Sequence, residues 1–524
     1  MVEIARQASY CHDAEGRAYA VIPVDGKGGQ RRFETWPVRS AGFRSWLCHH
    51  YYLATRKAPP ENAKQEALGV LEAQGKYDGD EREVFVRVGR DGANIVIDLA
   101  DEPWRCVVVT SEGWTVQTVS PVLFRRPRGL LALPEPACGG KLDDLRPFLN
   151  VQEAHWPLIV GWLIASLFPG GPYPVCCLHG EQGSAKSTTA RILRALIDPN
   201  KAPLRGTPRD ERDLIISASN SWVLALDNLS TLTDRRSEWL SDALCRLSTG
   251  GGFSTRELYA DAEEMIFDAT RPVILTGIED LAARPDLVDR ALMFHLPEID
   301  SRRRRTEATF WQRFQSEYPR ILGAFLDVLA GALRHLPGVN LDNLPRMADF
   351  ATRAVAACRA LGWKDEDFLD AYRDNQEDAV SASLDHSILK QPLWACFKEK
   401  LSPWRVTWPE LLAELTTKAG EKTTANQAWP KDTRRLAGMI KRMAPNMRKA
   451  GFDVDTNYRD KTADRERGVC FTWQEKTRKT QSSQSEPAVQ EGGAPAGLDR
   501  LDRVLRDYSP PAPDDGHGDA YEGF

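Results

Sequence analysis

The chain of 524 residues carries ten cysteines but no C-x-x-C pair. Zinc ribbons need such a pair and small disulfide scaffolds need paired cysteine spacings, so both classes are set aside. The adjacent Cys48, His49 and His50 are no substitute, because sequence neighbours rarely converge on one metal. The opening MVEIARQASY lacks the apolar core of a secretory signal. The longest apolar run, PLIVGWLIASLF at 157–168, is too short to cross a bilayer and reads as a buried core helix. The resulting expectation is a soluble protein of the reducing cytoplasm, with no membrane partner. Overall positive charge is lacking too. The chain has 69 Lys and Arg against 74 Asp and Glu, a net charge of −5. Any attraction for nucleic acid must then come from local patches. The N-terminal region shows neither a zinc motif nor paired metal carboxylates, which disfavours a primase fused to a motor. Asp98 and Asp101 in IDLAD read as a solvated strand end.

What is present is ordinary for a globular protein, with 42% hydrophobic residues. The length suggests about three or four domains. Residues 1–145 read as an α+β domain. AYAVIPV and RRFETWPV flank the turn DGKGG as a hairpin, residues 41–75 are helical with a break at RKAPPENAK, and EVFVRVG, NIVIDL and RCVVVT are short strands. PEPACGGK at 134–141 reads as a linker. A nucleotide-binding domain follows over 146–300. SRRRR at 301–305 starts a helical segment over 301–384, and a small domain occupies 385–476. Residues 477–524 are disordered by composition. Inside that tail, LDRLDRVLRDY at 498–508 puts Leu498, Leu501, Leu505 and Tyr508 on one helical face. It reads either as a docking helix for a protein partner or as a transient helix with none.

The most informative stretch is HGEQGSAKSTT at 179–189. It follows the short apolar run PVCCL and precedes TTARILRALI, whose apolar residues recur at helical spacing. The order is strand, loop, helix. Such a loop aims backbone N–H groups and the positive end of a helix at one point, where a triphosphate fits. Gly180, Glu181, Gln182, Gly183, Ser184, Ala185, Lys186, Ser187 and Thr188 are the expected contacts to ATP. Lys186 is expected on the β- and γ-phosphates, and the Ser187 hydroxyl on Mg²⁺. Ala185 stands where the usual G-x-x-x-x-G-K-[ST] pattern has glycine. Its methyl costs little if its φ is helical and more if its φ is positive.

Downstream, SWVLALDNLS supplies a buried strand ending in Asp227, which is expected to hold Mg²⁺ through water. Asn228 follows and can orient a water but is a poor base. Glu211 and Glu181 are the candidate carboxylates for that role. TRELYADAEEMIF reads as a β-hairpin carrying Arg256 and Tyr259, both expected to face nucleic acid. RPVILTG ends in Thr276, placed to sense the γ-phosphate. Arg284 and Arg290 are candidates for reaching a neighbouring subunit's nucleotide. Arg290 reads alternatively as a local salt bridge with Asp286 or Asp289.

Taken in order, these motifs resemble those of superfamily 3 helicases, the AAA+-like motors of phage, plasmid and viral primase–helicases. The resemblance covers roughly 150–300. More narrowly, the chain is similar to prophage and integrative-element ATP-binding proteins, in which LPRMADF at 344–350 accompanies such a core. The resemblance implies a P-loop AAA+-like α/β core, ATP and Mg²⁺ as cofactors, and a ring, most often hexameric, with the hairpin gripping DNA in its channel. The chain departs from the superfamily pattern at Ala185, Asn228 and Thr276.

The C-terminal domain reads as a winged helix. TWPELLAELTTKAG and WPKDTRRLAGMIKRMAPNMRKAG are helical, and FDVDTNY with VCFTWQE makes a two-stranded wing. Lys431, Arg434, Arg435, Lys441, Arg442, Arg448 and Lys449 make its second helical region basic, which suits DNA phosphates. The expected function is an ATP-hydrolysing helicase or origin-remodelling motor of a mobile element, acting on single-stranded or forked DNA. The rival is a weakly hydrolysing ATP-dependent switch or scaffold acting on protein partners, which Asn228 and the acidic YADAEE hairpin tip favour.

Overall fold

The computed structural model describes residues 1–25, 31–229, 238–256, 264–267, 270–277, 285–300, 302, 305–385, 387–426, 428–459 and 466–473. Met1–Gln474 make one compact unit. The tail from 477 and its 498–508 segment lie outside the described residues, as do Tyr259 and Arg284.

The fold is mixed α/β with several sheets. The first sheet has the expected hairpin, Ala18–Asp25 paired with Arg31–Pro37, with Ser9–His12 and Asp80–Glu81 alongside. Helices Ala41–Thr55 and Glu61–Tyr77 bury Phe43, Leu47, Leu68 and Leu71 against Ala20 and Ile22 of this sheet. The break is shorter than RKAPPENAK: residues 56–60 separate the two helices, and ENAK opens the second. A second, antiparallel sheet runs Val88–Asp91, Asn94–Asp98, Cys106–Thr110 and Gly113–Gln117. Its last strand, GWTVQ, is absent from the expected set. It is short and none of its residues is fully buried, so it carries little apolar signal.

One apolar core joins this second sheet to the buried helix Trp156–Ala165 and to helices Glu307–His335 and Ala348–Ala360. The core therefore runs across residue 145. PEPACGGK is seated on the long helix: Ala137 N donates to Pro319 O at 2.9 Å. A Cβ on Gly140 would collide with the Arg320 carbonyl, and one on Gly323 with that of Ala137. Two glycines thus permit a backbone-on-backbone contact that the expected linker does not have.

Arginines stitch the same junction. Arg87 and Asp198, both 0% exposed, form an ion pair at 3.2 Å. Asp198 also accepts from the backbone N of Trp222 and Val223. Removing one partner of such a buried pair costs about 3–5 kcal/mol. Arg126 grips Asp98 through two nitrogens at 2.9 and 2.6 Å, and Arg105 binds Asp101 at 2.6 Å. Both carboxylates of IDLAD are paired with arginines rather than simply solvated at a strand end.

The sheet that positions the candidate site has four parallel strands, in the order Leu224–Leu226, Val273–Gly277, Val175–His179, Ala291–His295. Their residues are almost all buried, as expected of parallel strands covered on both faces. Beside them, Phe253–Arg256 pairs with Glu264–Phe267, so the hairpin arms are present and Arg256 sits opposite Glu264. The Arg256 side chain and residues 257–263 lie outside the described set. SRRRR does not start the next helix. Thr306 does, its Oγ1 accepting from Thr309 N, and Arg302 instead pairs with Asp300. Threonine accepts from the first turn of a helix, whereas arginine has no acceptor to offer.

The C-terminal part runs helix Lys390–Glu399, strand Trp404–Thr407, helices Trp408–Thr424 and Thr433–Lys449, then strands Asp453–Asp455 and Gly468–Thr472. The expected pair of strands forms, with Val454 opposite Phe471. A third strand joins it, because Trp404 and Val406 face inward and Trp404 stacks on Phe471 at 5.4 Å.

Candidate nucleotide site and basic helix

The loop 180–185 leaves the C-terminal end of Val175–His179 and enters helix Lys186–Ile197. Gly180 and Gly183 both adopt positive φ, 150° and 91°. Ala185 does too, at φ 62° and ψ 30°, and it is the N-cap of the helix without a side-chain cap bond. The costly alternative for its methyl is therefore the one observed. A left-handed alanine carries about 1–2 kcal/mol of steric cost. Ser184 is buried and its Oγ donates to Glu181 O at 2.9 Å. Glu181, Gln182 and Gly183 are exposed at the tip.

Lys186 folds back over this loop. Its Nζ donates to Gly180 O and to Glu181 O, each at 2.7 Å. Desolvation lowers its pKa, and the charge of Asp227 acts the other way. Both bonds are to neutral carbonyls, so an arriving phosphate oxygen is a stronger acceptor for the same cation.

Three of the expected residues meet around Asp227. Ser187 Oγ donates to Asp227 Oδ1 at 2.9 Å. Thr276 Oγ1 also donates to Oδ1, and accepts from Asn228 N at 3.0 Å. The strand ending in Thr276 lies between the Asp227 strand and the loop strand, which is why these groups converge. The Thr276 hydroxyl is engaged by the carboxylate and an amide, so here it orients Asp227. Asn228 takes a left-handed φ of 55°, a region that asparagine tolerates. Glu211 is held by Arg246 at 2.7 Å. Ser187 and Asp227 present hard oxygen donors side by side, a set that suits Mg²⁺ completed by water.

Asn150 is a member of this site that the motifs miss. Its Nδ2 donates to Ser184 O at 3.0 Å and to Pro297 O at 2.6 Å. It thereby ties the loop, one residue before strained Ala185, to the chain leaving the strand Ala291–His295. No spacing rule marks an asparagine in RPFLNVQ for this role.

Arg290 is at the other end of the sheet. It immediately precedes the strand Ala291–His295, and its carbonyl accepts from Val175 N, the first residue of the loop strand. Five strand residues separate that level from Gly180, about 16 Å at the usual rise. Its Nη1 donates to the carbonyl of Asp286 at 2.8 Å. Asp289 is bound by Arg346 at 2.9 Å and by Lys449.

A cavity of about 580 Å³ lies between residues 152–157 and helix Asp365–Asp385. Asp143, Glu153, Asp367, Asp374 and Asp378 line it, with Arg146 as the counter-charge. Burial and then Asp374 raise the pKa of Asp378. That lining repels phosphate, so the cavity is no alternative triphosphate site.

The basic helix Thr433–Lys449 buries Leu436, Ile440, Ala444 and Met447. Arg434, Arg435, Lys441 and Arg442 are exposed. Arg448 and Lys449 are exposed too but already bonded, Arg448 to Val454 O and Lys449 to Asp289. The usable basic face is therefore smaller than the sequence count.

Residues 142–381 match the model of a family described as the actinomycete integrative conjugative element replication protein, AICE RepA. Residues 390–486 match the AICE RepA C-terminal domain. Among solved structures, the A form apo structure of the NrS-1 C-terminal region aligns at 10% identity and a TM-score of 0.39, covering 90% of this chain and 98% of that one. A second such structure aligns at 9% identity and a TM-score of 0.38, with the same coverage. No curated protein matches.

Proposed function

Because the chain belongs to the replication-protein family of actinomycete integrative conjugative elements, the two models together spanning more than half of it, we propose that it is an ATP-hydrolysing motor. In this reading it acts as a DNA helicase or origin-remodelling ATPase with a P-loop AAA+-like core, in the cytoplasm. The observation that carries the reading is the meeting of the loop 180–187, Asp227 and Thr276 at one edge of a parallel sheet. Lys186 is placed to exchange two carbonyls for phosphate oxygens. Ser187 and Asp227 hold Mg²⁺, which supplies charge neutralisation on the phosphates. Asn150 fixes the loop and Thr276 fixes the carboxylate.

Arg290, remote from its own loop, serves a neighbouring subunit in a ring, where its guanidinium stabilises charge developing on the γ-phosphate. Arg284 and Tyr259 keep the roles given them by the motif order. The three-stranded C-terminal module acts as a winged helix that lays Arg434, Arg435, Lys441 and Arg442 on DNA phosphates.

A second reading has a specific observation behind it. Asn228 follows Asp227, and Glu211 is tied to Arg246, which leaves Glu181, exposed at the loop tip, as the remaining candidate carboxylate for the attacking water. That favours an ATP-dependent switch with slow turnover. The test is the ATPase rate of the purified protein alone, with single-stranded DNA and with a fork. Strong stimulation by DNA is expected of the motor. A slow rate indifferent to DNA establishes the switch.

A further inference from the structure

The chain is acidic overall, yet residues 35–60 contain no aspartate or glutamate. Arg39, Arg44, Arg56 and Lys57 stand in that stretch. Helix Ala41–Thr55 runs through it and buries Phe43 and Leu47 against the first sheet. At about 100° per residue, His49, Tyr52 and Arg56 fall on the side away from those two, and Arg44 lies on the flank between the two sides. All four are exposed. Tyr52 is 50% exposed and Leu53 47%. The Arg56 guanidinium lies over the Tyr52 ring, 5.8 Å from its centroid. Arg39 is spent on Glu72. Glu61, just after the stretch, bonds Lys64 and Gln65, and these bonds and the nearby charge of Arg44 lower its pKa. The face leaves the Tyr52 ring exposed beside a local excess of arginine and lysine.

We propose that this face binds single-stranded DNA, with Arg56 and Lys57 on phosphates and the Tyr52 ring stacked on a base. Charge complementarity selects a polyanion. The exposed ring selects a strand whose base faces are open, since a duplex keeps its bases stacked on one another. The C-terminal basic helix is the contrast: Thr433–Lys449 has no aromatic residue, so it offers charge alone. The proposal stands whether or not the loop turns over ATP.

The test is anisotropy titration of the full chain with a labelled oligo-dT strand and with a duplex of equal length, over a range of salt. Tyr52→Ala is expected to weaken the single strand about tenfold, as loss of one stacked base does, and to leave the duplex unchanged. Tyr52→Phe keeps the ring and is expected to keep the affinity. Arg56→Gln with Lys57→Gln is expected to flatten the single-strand salt dependence by about 1.4 in log–log slope, about 0.7 per phosphate contact. These side chains are exposed, and unchanged thermal melting checks the fold. Full single-strand affinity in Tyr52→Ala, equal losses on both DNAs, or a loss in Tyr52→Phe matching that in Tyr52→Ala overturns the proposal.

Discussion

The two edges of the four-stranded parallel sheet carry different sets of side chains. At the C-terminal edge, two hydroxyls and a carboxylate from two strands and the start of one helix are joined by hydrogen bonds, and Lys186 folds over the adjoining loop. At the N-terminal edge, Arg290 stands beside the start of the loop strand, bonded to a backbone carbonyl. Both edges belong to the same strands, and the strand length keeps them about 16 Å apart. Within one chain Arg290 is therefore remote from the loop 180–187. Under the proposed function, the site is finished between molecules, or Arg290 is structural.

The largest effect expected is at the cradle. Lys186→Ala removes the one ammonium that folds over the loop. ATP binding is predicted to vanish, with the melting temperature little changed, as calorimetric titration and thermal unfolding will show. Arg290→Ala is predicted to keep ATP affinity and lose turnover, by up to about a thousandfold if it acts as an arginine finger. Loss of binding and turnover together in Arg290→Ala erases the distinction between the edges. Lys441→Gln with Arg442→Gln is predicted to flatten the salt dependence of duplex binding by about two in log–log slope, about 0.9 per phosphate. Charge substitution is the right probe here. Deletion of the module would open the apolar core that it shares with the parallel sheet.

Smaller effects refine the cradle. Asn150→Ala releases Ser184 and is predicted to weaken ATP binding about fivefold to tenfold, the scale of one or two hydrogen bonds. Unaltered affinity would show that the loop holds its shape without the clamp. Ala185→Gly is the smallest. It relieves a left-handed alanine but adds freedom to the unfolded chain, for a net gain of about 0.5–1 kcal/mol. A lower melting temperature in that variant contradicts the strain at Ala185.

The cradle was legible because its pieces are contiguous in sequence: apolar strand, glycines, lysine and hydroxyl, helix. Asp227 and Thr276 were legible because each ends an apolar run. Asn150 was not, since its role depends on two carbonyls 34 and 147 residues away. The Arg87–Asp198 pair was hidden in the same way, its partners 111 residues apart. The basic helix was read correctly in outline and overcounted in detail. Charge content is local, while the engagement of Lys449 by Asp289 is tertiary. The linker 134–141 failed for a related reason. Its glycines signal flexibility in sequence and close backbone packing in the fold.

The claim that the two edges complete each other is tested most directly by mixing. Arg290→Ala protein has an intact cradle, and Lys186→Ala protein has an intact arginine. Each alone is predicted to be nearly inactive. Co-assembled, as verified by light scattering, they are predicted to recover part of the wild-type ATPase rate, because some interfaces pair a working loop with a working Arg290. No recovery in confirmed mixed assemblies would contradict the account and leave Arg290 a structural residue of its own chain.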